Sequence, residues 1–257
     1  MSTYDKDGKK VPSVTTIIGD SVPKNWGPPW GANMAVEWIK NNCEPIEYVK
    51  EIKLEYGRIH RTTDFHYLVT EKQLESARKN FREVSQTALD VGSETHKAIE
   101  KFIKILIETG KTLDDYELHD SIVSTLSPQA ANSFGAFLEW ADENEFIPLE
   151  SELTIFGDYW AGTLDCVCML HGKKTVIDFK TSKQHSPIEH GPQVAAYRSK
   201  VEGAERHGVL RLDKKSGSPD YKDYYKKYGK DLAAFHLAKE LYFLRHPVIA
   251  RKAGLPF

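Results

Sequence analysis

Cysteine is scarce: three residues in 257, at Cys43, Cys166 and Cys168. So small and odd a count excludes a disulfide framework, and a reducing, cytoplasmic setting is the expectation. No stretch approaches the roughly 18–20 consecutive apolar residues of a membrane helix, so no membrane partner is expected. Internal repeats and low-complexity tracts are absent as well. The first ten residues are polar and carry both signs of charge, unlike a secretory signal or an organelle transit peptide. No G-x-x-x-x-G-K-[ST] occurs, so no nucleotide cofactor or nucleotide-driven motor is expected.

What is present suits a globular domain with a sizeable core: 40% hydrophobic and 28% charged residues. The net charge of −2 conceals an uneven distribution. Lys and Arg number 13 against 11 Asp and Glu in 1–82, 4 against 16 in 83–158, and 18 against 10 in 159–257. A nucleic-acid coat protein would be basic throughout, and this chain is not; its basic last third can meet a polyanion locally, and on charge alone solvated helix faces are the simpler reading.

Turn formers fill the first 30 residues, which read as mostly irregular, with a short extended piece over Val11–Ile18. Helices are expected at Ala32–Asn41 and Glu71–Ala88. A stronger one covers Ser93–Thr109, where Ile99, Phe102, Ile103, Leu106 and Ile107 form one apolar stripe. Another starts at Ser127-Pro128 and runs to about Asn144. Glu150–Phe156, Ala161–Leu170 and Lys174–Lys180 then read as strands. Helix over Pro192–Val201, strand over Arg206–Asp213, and helix over Asp231–Leu244 stopped by Pro247 complete the chain. The order points to an α/β or α+β core behind a helical N-terminal part.

The chemistry concentrates in Ala161–Lys180, two strand-like runs around His171-Gly172. With those two residues as the loop, paired residue numbers sum to 343 and Asp165 faces Asp178. With a loop over 171–174 the sum is 345 and Asp165 faces Lys180. Either register, taken with period-two alternation, puts Asp165, Asp178 and Lys180 on one face. Opposed carboxylates among Val167, Met169 and Val176 repel and lose hydration. A hard divalent cation relieves both penalties, and Mg²⁺ is held by one or two carboxylates plus phosphate oxygens. Lys180, roughly 6.6 Å along the strand from Asp178, reaches the same water or phosphate. Such a set suits metal-dependent phosphodiester hydrolysis, with the lysine orienting or deprotonating water or stabilising charge. A cross-strand Asp–Lys ion pair on a solvated face is the plainer alternative.

At these residues the chain resembles the PD-(D/E)XK nuclease superfamily, in its RecB-like exonuclease branch of phages and of mitochondrial genome maintenance. Gly162-Thr163-Leu164-Asp165 resembles its G-x-x-D motif and Asp178-Phe179-Lys180-Thr181-Ser182 its D-x-K-T-S motif. Gln193-Val194-Ala195-Ala196-Tyr197 resembles Q-x-x-x-Y, and Gly92-Ser93-Glu94-Thr95-His96 with Glu100 resembles the helical G-x-x-x-H…E motif. Ser13-Val14-Thr15 is similar to the N-terminal signature of the phage members.

The resemblance implies an α/β fold over 91–257, with a restriction-endonuclease-like core of mixed β-sheet flanked by helices. Residues 1–90 would form an irregular and helical part covering the cleft. It implies Asp165, Asp178 and Lys180 as catalytic residues. Mg²⁺ or Mn²⁺ would be held by His96, Asp165, Asp178 and the Phe179 backbone carbonyl, with Glu152 as a further acid. Thr181, Ser182, Gln193, Tyr197 and Glu100 would bind substrate or brace the site. The implied partners are DNA ends or single strands, and a single-strand-annealing or single-strand-binding protein. The function is then a DNA exonuclease of recombination, repair or replication. The alternatives are a structure-specific endonuclease on the same core and a catalytically silent DNA-end-binding partner. Some relatives carry a four-cysteine iron–sulfur cluster; three cysteines here argue against one. For a strand path, two aromatic sets are available. One is Trp26, Trp30 and Trp38. The other is Tyr221, Tyr224, Tyr225 and Tyr228 interleaved with Lys222, Lys226 and Lys227.

Overall fold

The computed structural model describes residues 3–22, 27–53 and 59–255. Two compact units divide the chain: 24–89, and 1–23 together with 90–257. The first 23 residues therefore belong with the larger unit, not with the rest of 1–90. Val11, Val14, Ile17 and Ile18 are the reason, because they are buried in one cluster with Trp160, Phe235 and Phe243.

The unit of 24–89 holds α2 (Gly27–Asn42), a hairpin of β3 (Pro45–Lys53) and β4 (Ile59–Tyr67), and the start of α3 (Glu71–Thr109). Within it Asn80 donates to the Met34 carbonyl at 3.0 Å, and Trp30 meets Phe81 edge-on at 6.4 Å. Sequence reading did not anticipate the hairpin.

The larger unit opens with a hairpin of β1 (Thr3–Lys6) and β2 (Lys9–Pro12), followed by α1 (Val14–Ser21). The extended piece expected to Ile18 thus ends at Pro12. The Ser13 hydroxyl accepts the Thr16 N–H at 3.0 Å and caps a helix. Val14, Ile17 and Ile18 then share one buried face, so packing outweighs their β-propensity.

Five strands form the central sheet in sequence order: β5 (Ile147–Phe156), β6 (Ala161–Leu170), β7 (Lys173–Lys180), β8 (Arg206–Leu212) and β9 (Pro219–Asp223). β7 and β8 are parallel and every other neighbour pair is antiparallel, so the sheet is mixed. One face packs under α3, α4 (Tyr116–Val123) and α5 (Pro128–Glu143), through Phe102, Phe137, Cys166, Ile177, Phe179 and Leu210. The other face packs Val167 and Val176 under α1, α6 (Pro187–Arg198), α7 (Tyr228–Arg245) and α8 (Pro247–Ala253). The chain is mixed α/β. Among the described residues no helix is long and apolar enough to cross a membrane.

Other boundaries also differ from expectation. α3 is continuous where two helices were expected, since an interior glycine such as Gly92 costs only about 1 kcal/mol. α6 begins at Pro187, leaving Pro192 inside it. Pro247 follows the end of α7 at Arg245, as expected, and also starts α8, as proline at a first helical position does.

His207 on β8 is fully buried and its Nε2 has no partner. Burial, and then the Arg198 charge, lower its pKa to about 4. The unfolded chain binds the proton near pH 6.5 and the folded chain does not. Stability is therefore complete above about pH 6.5 and is lost as pH falls toward 4. His207→Gln is expected to flatten that acid limb in thermal melts from pH 7 to 4.

Candidate active site

The hairpin loop is the two-residue one. His171 and Gly172 have φ of +45° and +71°, and pairing runs from Leu170↔Lys173 to Cys166↔Ile177, each pair summing to 343. That register continues to Asp165 and Asp178. There the ladder stops, and the Phe179 N–H donates instead to Asp165 Oδ2 at 2.6 Å.

Strict alternation fails at this point. Leu164 packs with the layer of α1, α6 and α7, whereas Cys166 packs with the layer of α3 and α5. The irregularity at Asp165 brings its carboxylate to the Phe179 amide and also to His96 Nδ1 of α3, at 3.6 Å. Asp178, almost fully buried, meets Lys180 Nζ through Oδ2 at 2.5 Å and accepts from Gln193 Nε2 through Oδ1 at 2.7 Å. Gln193 also donates to the Tyr197 hydroxyl at 3.2 Å.

Glu152 is the third acid in line. Ser151↔Cys166 and Leu153↔Leu164 are paired, so Glu152 stands opposite Asp165 at an unpaired position. Its φ is +53°, a left-handed conformation costing a non-glycine residue roughly 1–2 kcal/mol. Strain of this kind concentrates at functional sites. Three neighbouring strands therefore present Glu152, Asp165 and Asp178 in one row.

The charges sort accordingly. Burial raises the Asp165 pKa, but His96, Lys180 and the Phe179 amide outweigh it, and the result is a lowered value. Asp178 is raised by burial and by Asp165, against the pull of Lys180. Burial, then Asp165 and Glu100, push Glu152 up to about 7. Burial disfavours charged Lys180 and His96, but the acids prevail and both are raised. Acids whose pKa values are pushed apart beside a cation mark a candidate site.

The motif residues of α3 each touch something. A β-carbon at Gly92 would lie 3.0 Å from Thr181 Oγ1, so glycine lets the helix approach the end of β7. Glu94 accepts from the Ser127 N–H at 2.7 Å and from its hydroxyl at 2.6 Å, fixing the start of α5. Glu100 pairs with Lys104 at 2.5 Å and lies near enough to act on Glu152. The link through Glu94 was not read from sequence, although an acid five residues before the apolar stripe was visible.

Other expected residues take different places. Thr181 is half-buried, and exposed Ser182 donates to the Gln184 carbonyl at 3.0 Å, a local turn contact. Tyr224, offered for stacking, is buried with Val194 and Val209, so its ring is core and presents no face to a base. Lys226 lies exposed over the Tyr225 ring at 6.0 Å. Tyr221 packs on Trp140 at 5.3 Å, and Tyr228 stacks with Arg198 at 4.1 Å, so the four tyrosines form no single strip. Trp26 lies outside the described residues, and Trp30 and Trp38 belong to the unit of 24–89. Cys166 and Cys168 are buried free thiols in the core, and Cys43 is a buried free thiol of the smaller unit.

Among the described residues no three His, Cys, Asp or Glu side chains already converge as a metal cage. The carboxylates are turned instead to Lys180, His96, Gln193 and the Phe179 amide. The donor types nevertheless fit a hard divalent cation: two carboxylates, a third in line, a backbone carbonyl and an imidazole. Asp178 Oδ2 is buried against the Lys180 ammonium, and a carboxylate oxygen so placed has lone-pair capacity for such an ion as well. No protein-family model matches the chain, and no curated protein matches it.

Proposed function

We propose that the chain is a metal-dependent deoxyribonuclease of the PD-(D/E)XK type, with a restriction-endonuclease-like core in the larger unit. It hydrolyses phosphodiester bonds at DNA ends or on single strands, in recombination, repair or replication. One observation carries the reading. Asp165, Asp178 and Lys180 meet at the open end of one hairpin, with His96 from α3 and Gln193 from α6 closing on them from two layers. A surface ion pair needs no second buried acid, no strained third one and no amide held on its carboxylate.

Asp165, Asp178 and the Phe179 carbonyl, with His96 and Glu152 at hand, would hold Mg²⁺ or Mn²⁺. Such an ion supplies positive charge to the phosphate oxygens. Lys180, protonated and anchored on Asp178, orients the attacking water or meets charge developing on the phosphate. Gln193 fixes the Asp178 carboxylate, and Tyr197 fixes Gln193.

The test is digestion of end-labelled linear DNA, single- and double-stranded, beside a closed circle. Linear substrate is expected to shorten from its ends with Mg²⁺ or Mn²⁺, to survive in chelator, and the circle to persist. Intact linear DNA with either metal, or equal digestion in chelator, would overturn the reading.

A further inference from the structure

The parallel pairing of β7 and β8 sets Lys180 beside Arg211. Segments 181–186 and 213–218 therefore leave the sheet side by side, at the carboxyl ends of two parallel strands. Open α/β sheets bind their ligands at such ends. Both segments carry lysines: Lys183 on the first, Lys214 and Lys215 on the second.

The second segment is a preformed turn. Asp213 Oδ1 accepts the N–H groups of Lys215 at 2.8 Å and Ser216 at 2.9 Å. Gly217 closes the turn at φ +68°, its N–H donating to the Asp213 carbonyl at 2.9 Å. From α5, Asn132 Nδ2 donates to the carbonyls of Lys214 at 3.3 Å and Lys215 at 3.4 Å. The backbone carrying both ammonium groups is thus fixed before any ligand arrives.

Nearby acids are already engaged. Arg211 bridges Asp213 and Asp220 at 3.1 Å each, and His185 Nε2 lies 3.4 Å from Asp220 Oδ2. Among the described residues none of Lys183, Lys214 and Lys215 forms an ion pair. Partial burial, with Lys183 and Lys215 as like charges against the pull of Asp213, lowers the Lys214 pKa. Cations crowded together in this way weaken a fold, and a polyanion removes the repulsion.

We propose that Lys183, Lys214 and Lys215 form a phosphate-binding lip that holds a DNA strand beside Lys180. The lip deepens the nuclease reading and rests on it for the identity of its ligand.

The experiment measures binding, not cleavage. The full chain is titrated in EDTA against a fluorescein-labelled 20-nucleotide single-stranded DNA, by anisotropy, over a range of KCl. Each phosphate contact on a single strand contributes about 0.7 to the slope of log K against log salt. K183Q/K214Q/K215Q is expected to lower that slope by about 2 and to weaken binding at least about tenfold near 0.1 M KCl. The exposed K215Q alone should lower it by about 0.7. K173Q/K174Q/K200Q, drawn from the other end of β7, should leave it unchanged. The lip variant should melt at or above the wild-type temperature in low salt, which separates lost binding from lost fold. An unchanged slope in the lip variant, an equal fall in the control, or no binding by the wild type overturns the proposal. If DNA stays intact in Mg²⁺ while the slope still falls by about 2, the lip stands and the nuclease reading fails. If DNA is degraded while the slope does not move, the nuclease reading stands and the lip fails.

Discussion

Alanine at position 180 is expected to lower cleavage by about 10²–10⁴-fold, the usual worth of a positioned proton-transfer or charge-stabilising group. The ammonium sits 2.5 Å from Asp178 Oδ2 and within electrostatic reach of Asp165. No other cation in the cluster comes from the same strand. Binding of single-stranded DNA in chelator should change less than tenfold, since one contact among several is lost. The stability of the variant carries a sign of its own. Without Lys180, burial and Asp165 act on Asp178 against the weaker pull of His96, and its pKa rises further above that of the unfolded chain. A group raised in the folded state supports folding below its unfolded pKa, and that support is lost as pH rises through the folded value. Lys180→Ala should therefore be more destabilised relative to wild type at pH 8 than at pH 5, by urea denaturation. Cleavage within threefold of wild type in a folded Lys180→Ala protein would remove the mechanism. A destabilisation independent of pH would remove the account of Asp178.

Much of this site was legible because hairpin geometry is local. His171-Gly172 marks the turn, the turn leaves two registers, and the two-residue loop that the structure takes continues Asp165 to Asp178. The helix at Ser127-Pro128 was equally legible from its cap and first residue. Alternation alone misled at Asp165, where the ladder breaks and the carboxylate turns to a backbone amide. No pattern in one strand announces such a break, because the amide that takes the carboxylate belongs to the neighbouring strand β7. Glu152 illustrates the same limit: nothing beside it in sequence marks a strained acid, and only the pairing of β5 with β6 supplies its neighbour. Tyr224 failed differently. Aromatic and basic residues interleaved in sequence read as a binding strip, but the turn after β9 sends Tyr224 into the core with Val194 and Val209. The lysines at 183, 214 and 215 were passed over because they are far apart in sequence. The parallel β7–β8 crossover is what joins their two segments.

Gly162→Val is expected to damage fold and site together, through one contact. A β-carbon at 162 would lie 2.7 Å from Tyr197 Cε1 and 3.4 Å from Val14 Cγ2. The glycine of one motif is thus the seat for the tyrosine of another, and α1 closes the same seat through Val14. Overpacking of this kind costs about 1–3 kcal/mol. Relief requires the ring to move, and the ring's hydroxyl is a partner of Gln193, whose amide fixes Asp178. Cleavage should fall along with stability, by misplacement of a carboxylate that the substitution never touches. A double-mutant cycle isolates the coupling. In a Tyr197→Ala background the space is open, so Gly162→Val should cost at least about 1 kcal/mol less than in wild type. Strictly additive losses would mean that glycine serves the strand's own backbone and not the tyrosine. A stable Gly162→Val protein with full activity would mean that the brace from β6 through Tyr197 and Gln193 to Asp178 carries no strain at all.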